Sequence, residues 1–165
     1  MADITLKGNA ISTIGDLPKI GSKAPNFTLT TVDLSHKSLS DFEGKNIIMN
    51  IFPSVDTGIC AMSVREFNEK ASGLENTVVL CISKDLPFAQ ARFCAAEGLD
   101  NVVMLSDFAN GDFGKDYKLN IANGPMADLH SRAIVIVNKK GIVTYTQQVP
   151  EIAEEPNYEA ALKAI

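Results

Sequence analysis

The stretch "FPSVDTGIC", residues 52–60, leaves an apolar strand through Pro53, turns through Asp56, Thr57 and Gly58, and delivers Cys60. A strand-to-helix turn at the carboxyl end of a buried strand is where open α/β sheets place their chemistry. With a helix opening near Thr57 or Gly58, Cys60 falls in its first turn. Unpaired N–H groups and the positive end of the helix dipole there favour a thiolate, the reactive form of cysteine. Thr57 occupies the capping position, where its hydroxyl can reach the N–H of Cys60 and still serve a small polar substrate. Pro53 would wall the pocket and limit water around the sulfur, and Gly58 lets backbone approach a ligand. A second reading fits the same residues. Free cysteine is commonly a small buried hydrophobe, and threonine is a commonplace N-cap. "SVRE" (63–66) also fits a capping box, which would start the helix later and strand Cys60 in a loop.

The remaining thiols and imidazoles narrow the chemistry. Cys60, Cys81 and Cys94 are the three cysteines, with no C-x-x-C among them, so neither a dithiol motif nor a zinc ribbon is on offer. An odd count with no basic-then-apolar leader in "MADITLKGNA" argues against a disulfide framework and makes the cytoplasm the expected compartment. His36 and His130 lie far from each other and from any cysteine, which makes a zinc site a poor fit. Both are most simply surface or loop residues. Cys60 with His130 as base and Asp128 as orienter would make a cysteine hydrolase, provided His130 reaches the sulfur. A thioredoxin-fold redox sensor without turnover is a further alternative. The balance of 15 basic against 20 acidic residues, net −5, argues against nucleic acid, and no apolar run is long enough to span a membrane.

The elements that must position these residues follow from hydrophobic pattern. "DITLKGNAIS" reads as a small hairpin around Lys7-Gly8-Asn9, and "NFTLTTVD" as a half-exposed strand. "NIIMNIF" (46–52) and "TVVLCIS" (77–83) are continuous apolar runs, strands covered on both faces, and "NVVMLSD" is a third strand. Helices fall between them: 58–74, with Val64, Phe67 and Ala71 on one face, and "DLPFAQARFCAAEG", with Asp85 as N-cap, Pro87 in the first turn and Gly98 as stop. "AIVIVNKKGIVTYTQ" is an antiparallel hairpin, and "NYEAALKAI" a closing helix. The 165 residues suit a single domain, 1–165. A parallel βαβ core followed by a hairpin and a terminal helix predicts a thioredoxin-like α/β sandwich with an N-terminal β-hairpin extension. A flavodoxin-like sheet would end with another crossover helix.

Pro53-x-x-x-Thr57-x-x-Cys60 is also the P-x-x-x-T-x-x-C motif of peroxiredoxins, and "FPSVDTGICAMSVREFN" resembles their thiol peroxidase subfamily, the bacterial atypical two-cysteine peroxiredoxins. "GSKAPNFTLT", "VVLCISKDLPFAQARFCAAEGLDNVV", "IANGPM", "SRAIVIVNKKG" and "EEPNYEAALKAI" are similar to it too, so the resemblance spans essentially the whole chain. It departs at His130-Ser131, where small residues are commoner. The resemblance implies a peroxidatic Cys60, a pocket shaped by Thr57 and Pro53, and Arg132 beside the sulfur. It makes Cys94 the resolving cysteine, although from its neighbours alone Cys94 is an apolar helix residue. Arg132, likewise, would read locally as a surface charge opening a strand. Cys81, inside a buried strand, is read as structural. The implied activity is reduction of hydrogen peroxide and alkyl hydroperoxides, with thioredoxin as reductant and a homodimer as the usual assembly. No metal, haem or flavin is required, because a thiolate attacks an O–O bond directly. Because Cys60 and Cys94 lie on different helices, oxidation is expected to unwind the first turn around Cys60, the segment around Cys94, or both.

Overall fold

The structure is a computed structural model describing residues 1–165. A small antiparallel hairpin, β1 (Asp3–Leu6) with β2 (Asn9–Ser12), stands apart from a seven-stranded sheet. In chain order that sheet is built from β3 (Thr28–Thr31), β4 (His36–Ser38), β5 (Asn46–Ile51), β6 (Thr77–Ser83), β7 (Val103–Ser106), β8 (Ala133–Val137) and β9 (Val143–Gln148). Its spatial order is β4-β3-β7-β6-β5-β8-β9. The helices are α1 (Gly58–Ala71), α2 (Pro87–Glu97), α3 (Asp112–Asp116) and α4 (Tyr158–Lys163), with a 3-10 turn at Leu39–Phe42. No helix is long and apolar enough to cross a membrane.

The continuous apolar runs are explained by position. β5 pairs in parallel with β6 and antiparallel with β8, so it has neighbours on both edges and cores on both faces. Ile47, Met49 and Ile51 point into one core with Leu80, Ile82, Val135 and Phe113. Ile48 and Phe52 point into the other, with Cys81, Ile134 and the α1 residues Cys60, Val64 and Phe67. A period of two thus sorts one strand into two cores. The architecture is the thioredoxin-like sandwich with an N-terminal hairpin that the pattern predicted, together with β4 and α3, which it did not.

What bears on function is the parallel pair β5 and β6. Their carboxyl ends lie side by side, Ile51 opposite Ile82, and Phe52 N–H donates to the Ile82 carbonyl at 3.2 Å. The two strands therefore deliver the starts of α1 and α2 to the same end of the sheet. Both cysteine-bearing helices begin there.

Candidate active site

α1 starts at Gly58, not at the capping box further on, so Cys60 lies in the first turn of the helix. Cys60, Ala61, Ser63, Val64 and Phe67 form its buried stripe, the spacing of one helix face. Thr57 is the N-cap residue by backbone, but its hydroxyl makes no cap bond and donates instead to the Ser54 carbonyl at 3.1 Å. The expected Thr57–Cys60 cap is therefore replaced by a bond that closes the preceding turn. The Thr57 backbone N–H reaches the same Ser54 carbonyl at 3.2 Å. Thr57 remains exposed at the mouth of a cleft of about 700 Å³ that Pro53, Gly58 and Arg132 also line.

Arg132, read locally as a surface charge, is 2% exposed. It directly precedes β8, which is hydrogen-bonded beside β5, and its Nη2 donates to Cys60 Sγ at 3.2 Å. Nε donates to the Ile152 carbonyl at 2.8 Å, and Nη1 is buried without a protein partner. None of the chain's ion pairs includes Arg132. A buried cation without a carboxylate is costly unless an anion answers it. The sulfur of Cys60 is the one side-chain acceptor the guanidinium is given, and the spare Nη1 donors are available to an anionic or polar oxygen. Behind the turn, Ser63 Oγ donates to the Cys60 carbonyl at 2.8 Å, and fully buried Asn50 donates to Ser63 at 3.3 Å. The first turn is thus held from the sheet side as well as from the mouth.

The other two thiols are differently placed. All three cysteines are free. Cys81, on β6, is fully buried, and burial pushes its thiol up to about 12, partly offset by a hydrogen bond from Asn50. Cys94 is half-buried on α2, and burial pushes its thiol upward as well. Two expectations are corrected. His130 lies in the connection before β8, as a loop residue would, but it is not at the surface: it is fully buried, with Nε2 2.9 Å from Asp107 Oδ2 and its ring against Phe113. Phe113 belongs to the core on the face of the sheet opposite Cys60. Asp128 is exposed, so the Cys60–His130–Asp128 hydrolase arrangement is not assembled. Asp85, expected to cap α2, lies one residue too early for that role, since Leu86 is the N-cap. Its carboxylate bonds the turn before α1 instead.

Several residues of the site carried no local signal. Ile152 supplies a carbonyl from a loop 20 residues after Arg132. Glu151 accepts from Thr5 Oγ1 at 2.6 Å and from the Lys7 and Gly8 N–H groups at 2.8 and 3.0 Å, pinning the N-terminal hairpin beside the cleft. The Thr5 hydroxyl, followed by the backbone N–H groups, holds the Glu151 carboxyl down to about 2. The "KGN" hairpin was legible, but nothing in it announced that it walls a pocket.

Residues 19–162 match the family model described as Redoxin. The chain is 59% identical over 165 residues to the thiol peroxidases of Mycobacterium tuberculosis and Mycobacterium bovis, covering 100% of this chain and 99% of each relative. Among solved structures, a peroxiredoxin-like protein from Aquifex aeolicus superposes with a TM-score of 0.92 at 38% identity, covering 98% of this chain and 95% of that one. The thiol peroxidase from Chromobacterium violaceum, at 23% identity and a TM-score of 0.90, shares the fold over 98% of this chain and 93% of its own. With its thioredoxin-like sheet, the chain belongs to the redoxin family and is a thiol peroxidase of the peroxiredoxin type.

Proposed function

We propose that Cys60 is the peroxidatic nucleophile and that Arg132, Thr57 and Pro53 shape the reaction around it. The observation that carries this reading is the buried Arg132 guanidinium, 3.2 Å from Cys60 Sγ and without a carboxylate partner. The thiolate sulfur attacks the terminal oxygen of hydrogen peroxide or an alkyl hydroperoxide. The S–O bond forms as the O–O bond breaks, and water or an alcohol leaves after taking a proton from solvent. Cys60 is left as a sulfenic acid. Charge builds on the leaving oxygen in that step, and donors already fixed in a desolvated site stabilise it without reorganising. Arg132 supplies such donors, and the lone pairs of the Thr57 hydroxyl, whose proton is held by the Ser54 carbonyl, accept from the peroxide O–H at the mouth. The apolar wall of Leu6, Ile11, Ile59, Met126 and Ile152 suits the carbon tail of an alkyl hydroperoxide.

Cys94 then resolves the sulfenic acid. Its thiol sulfur displaces the hydroxyl from Cys60, giving the Cys60–Cys94 disulfide and water. A reduced dithiol protein of the thioredoxin type returns both cysteines to thiols by exchange. Residues 1–165 act as one unit, because the hairpin contributes Leu6 and Ile11 to the cleft. A cytoplasmic homodimer is the assembly and compartment in which this cycle would run.

The test is peroxide consumption coupled to thioredoxin, its reductase and a nicotinamide reductant. Wild type should turn over with hydrogen peroxide and with tert-butyl or cumene hydroperoxide, and Cys60→Ser should not. Turnover by Cys60→Ser would remove Cys60 from the chemistry. A disulfide that forms without turnover would mark a sensor instead of a peroxidase.

A further inference from the structure

Neither helix that carries a reacting cysteine caps itself. Thr57 at the start of α1 and Leu86 at the start of α2 both lack a side-chain cap bond. Between these two starts sits Asp85. One carboxylate oxygen accepts from Ser54 Oγ at 2.7 Å, and the other from the Val55 N–H at 2.8 Å and from Ser83 Oγ at 2.6 Å. Ser54 and Val55 form the turn that leads into α1, while Asp85 itself leads into α2. Ser54 in turn holds Asp56 through its hydroxyl and Thr57 through its carbonyl. A single carboxylate therefore grips the approach to Cys60 from the chain segment that leads to Cys94.

We propose that Asp85 is a positioning residue that latches the turn before Cys60 to the start of the Cys94 helix, and so sets how readily the site opens for disulfide formation. This rests on the assignment of Cys60 and Cys94 as the reacting pair. Cys60 is fully buried under Arg132, so its sulfur must leave that position to bond Cys94. The leaving motion separates Ser54 and Val55 from Asp85. Hydrogen bonds to a charged acceptor are the strong ones, so this carboxylate adds a local resistance to opening beside the Arg132 contact and the Ser63 bond. The closed form is the one competent for peroxide attack, because only there does Arg132 meet the sulfur.

Population arithmetic gives the latch a distinctive signature. Weakening a dominant closed state by a factor of about ten raises the minor open state about tenfold while barely depleting the closed one. Asp85→Asn keeps the shape and removes the charge. Its disulfide closure should accelerate about tenfold, on the scale of one hydrogen bond to a charged acceptor. Peroxide attack should slow by less than about twofold. The sulfenic acid would then spend less time exposed to a second peroxide, so the yield of sulfinic acid at high peroxide should fall.

The experiment is stopped-flow oxidation of the pre-reduced full chain, wild type beside Asp85→Asn, following attack and closure as separate phases, with sulfinic acid measured by intact mass. Ser54→Ala removes one of the three donors and should show the same split, smaller in size, which keeps the test open if Asp85→Asn folds poorly. Faster closure with attack nearly unchanged supports the latch. Closure unchanged in both variants, or attack and closure slowed together, overturns it and leaves Asp85 merely structural. Wild type that forms no Cys60–Cys94 disulfide would instead overturn the assignment of the reacting pair, and the latch with it.

Discussion

α1 and α2 begin at the same end of the sheet, on adjacent parallel strands, yet the protein holds them in opposite ways. α1 buries Cys60, Ala61, Ser63, Val64 and Phe67, with Phe67 edge-on to Tyr158 at 5.1 Å between ring centres. α2 buries only Pro87 and Gln90. Gln90 is its one deep anchor, donating to the Leu105 carbonyl at 2.9 Å and to Ser83 at 3.2 Å. Phe93 and Cys94 pack half-buried against the core that holds Cys60, Val64 and Phe67. The polar ties of α2 to the α1 region are ionic and exposed: Arg65 grips Glu97 through two bonds of 2.7 and 3.0 Å, and Arg92 reaches Asp56 at 3.1 Å. Such pairs contribute little in water. Cys60, the proposed nucleophile, is thus built into the core, while Cys94, its proposed resolving partner, rides on a helix that is seated less deeply. The contrast suits a cycle whose first step needs fixed geometry and whose second needs movement.

The contrast between the two helices is expected to be largest around Cys60, the proposed nucleophile. Arg132→Met keeps a long stem without charge and should slow peroxide attack by about 2–4 kcal/mol of barrier, the scale of an oxyanion donor. Thr57→Val should slow it in the same sense. Stopped-flow rates equal to wild type would make both residues structural only.

Packing comes next. Phe67→Ala should cost ~3–5 kcal/mol of stability, the usual range for a fully buried aromatic. Phe93→Ala, on the half-exposed side of α2, should cost ~1 kcal/mol. Urea titration of both variants reads the difference, and equal losses would erase the contrast between the helices.

Cys81 should be dispensable for turnover, with Cys81→Ala losing ~1–2 kcal/mol of stability. Its thiol stays protonated in the fold up to about 12 while an unfolded one ionises near 9. The unfolded state therefore binds fewer protons between those values, and stability falls as pH rises through that window. Cys81→Ala should flatten that fall. If Cys81→Ala instead blocked disulfide closure, the resolving role of Cys94 would be wrong.

The smallest effect is expected at the hairpin. Glu151 has its carboxyl held down to about 2, so its contribution is present above the ordinary carboxylate value of 4.5 and is lost as pH falls from there towards about 2. Residues 3–12 should gain amide exchange across that acid window, and Glu151→Gln should show the same gain at neutral pH.

Much of this was legible in the residues. Strands 46–52 and 77–83 announced themselves because central strands with cores on both faces admit only apolar side chains. The helix start at Gly58 was visible but ambiguous, since "SVRE" offered a competing start; the burial of Cys60 and Ala61 decides for the earlier one. "NGDFGKDY" hid α3, because two glycines and two acids over so short a span read as loop. The polar β4 gave no strand pattern, as an exposed edge need not alternate. Arg132 and His130 show the firmer limit. A charge beside a strand reads locally as solvated, and only contacts remote in sequence, Ile152 and Cys60 for one and Asp107 for the other, make burial affordable. Resemblance could supply the first and not the second.

Hydrogen exchange of the reduced and the oxidised protein tests most directly whether a fixed Cys60 helix meets a yielding Cys94 helix. In the reduced form, amides at 63–71 should be better protected than those at 88–98. Oxidation should then strip protection from 88–98 and leave 63–71 nearly unchanged, with loss in α1 confined to its first turn. Deprotection running through α1 while 88–98 stays closed would contradict this division of roles, as would two identical exchange profiles.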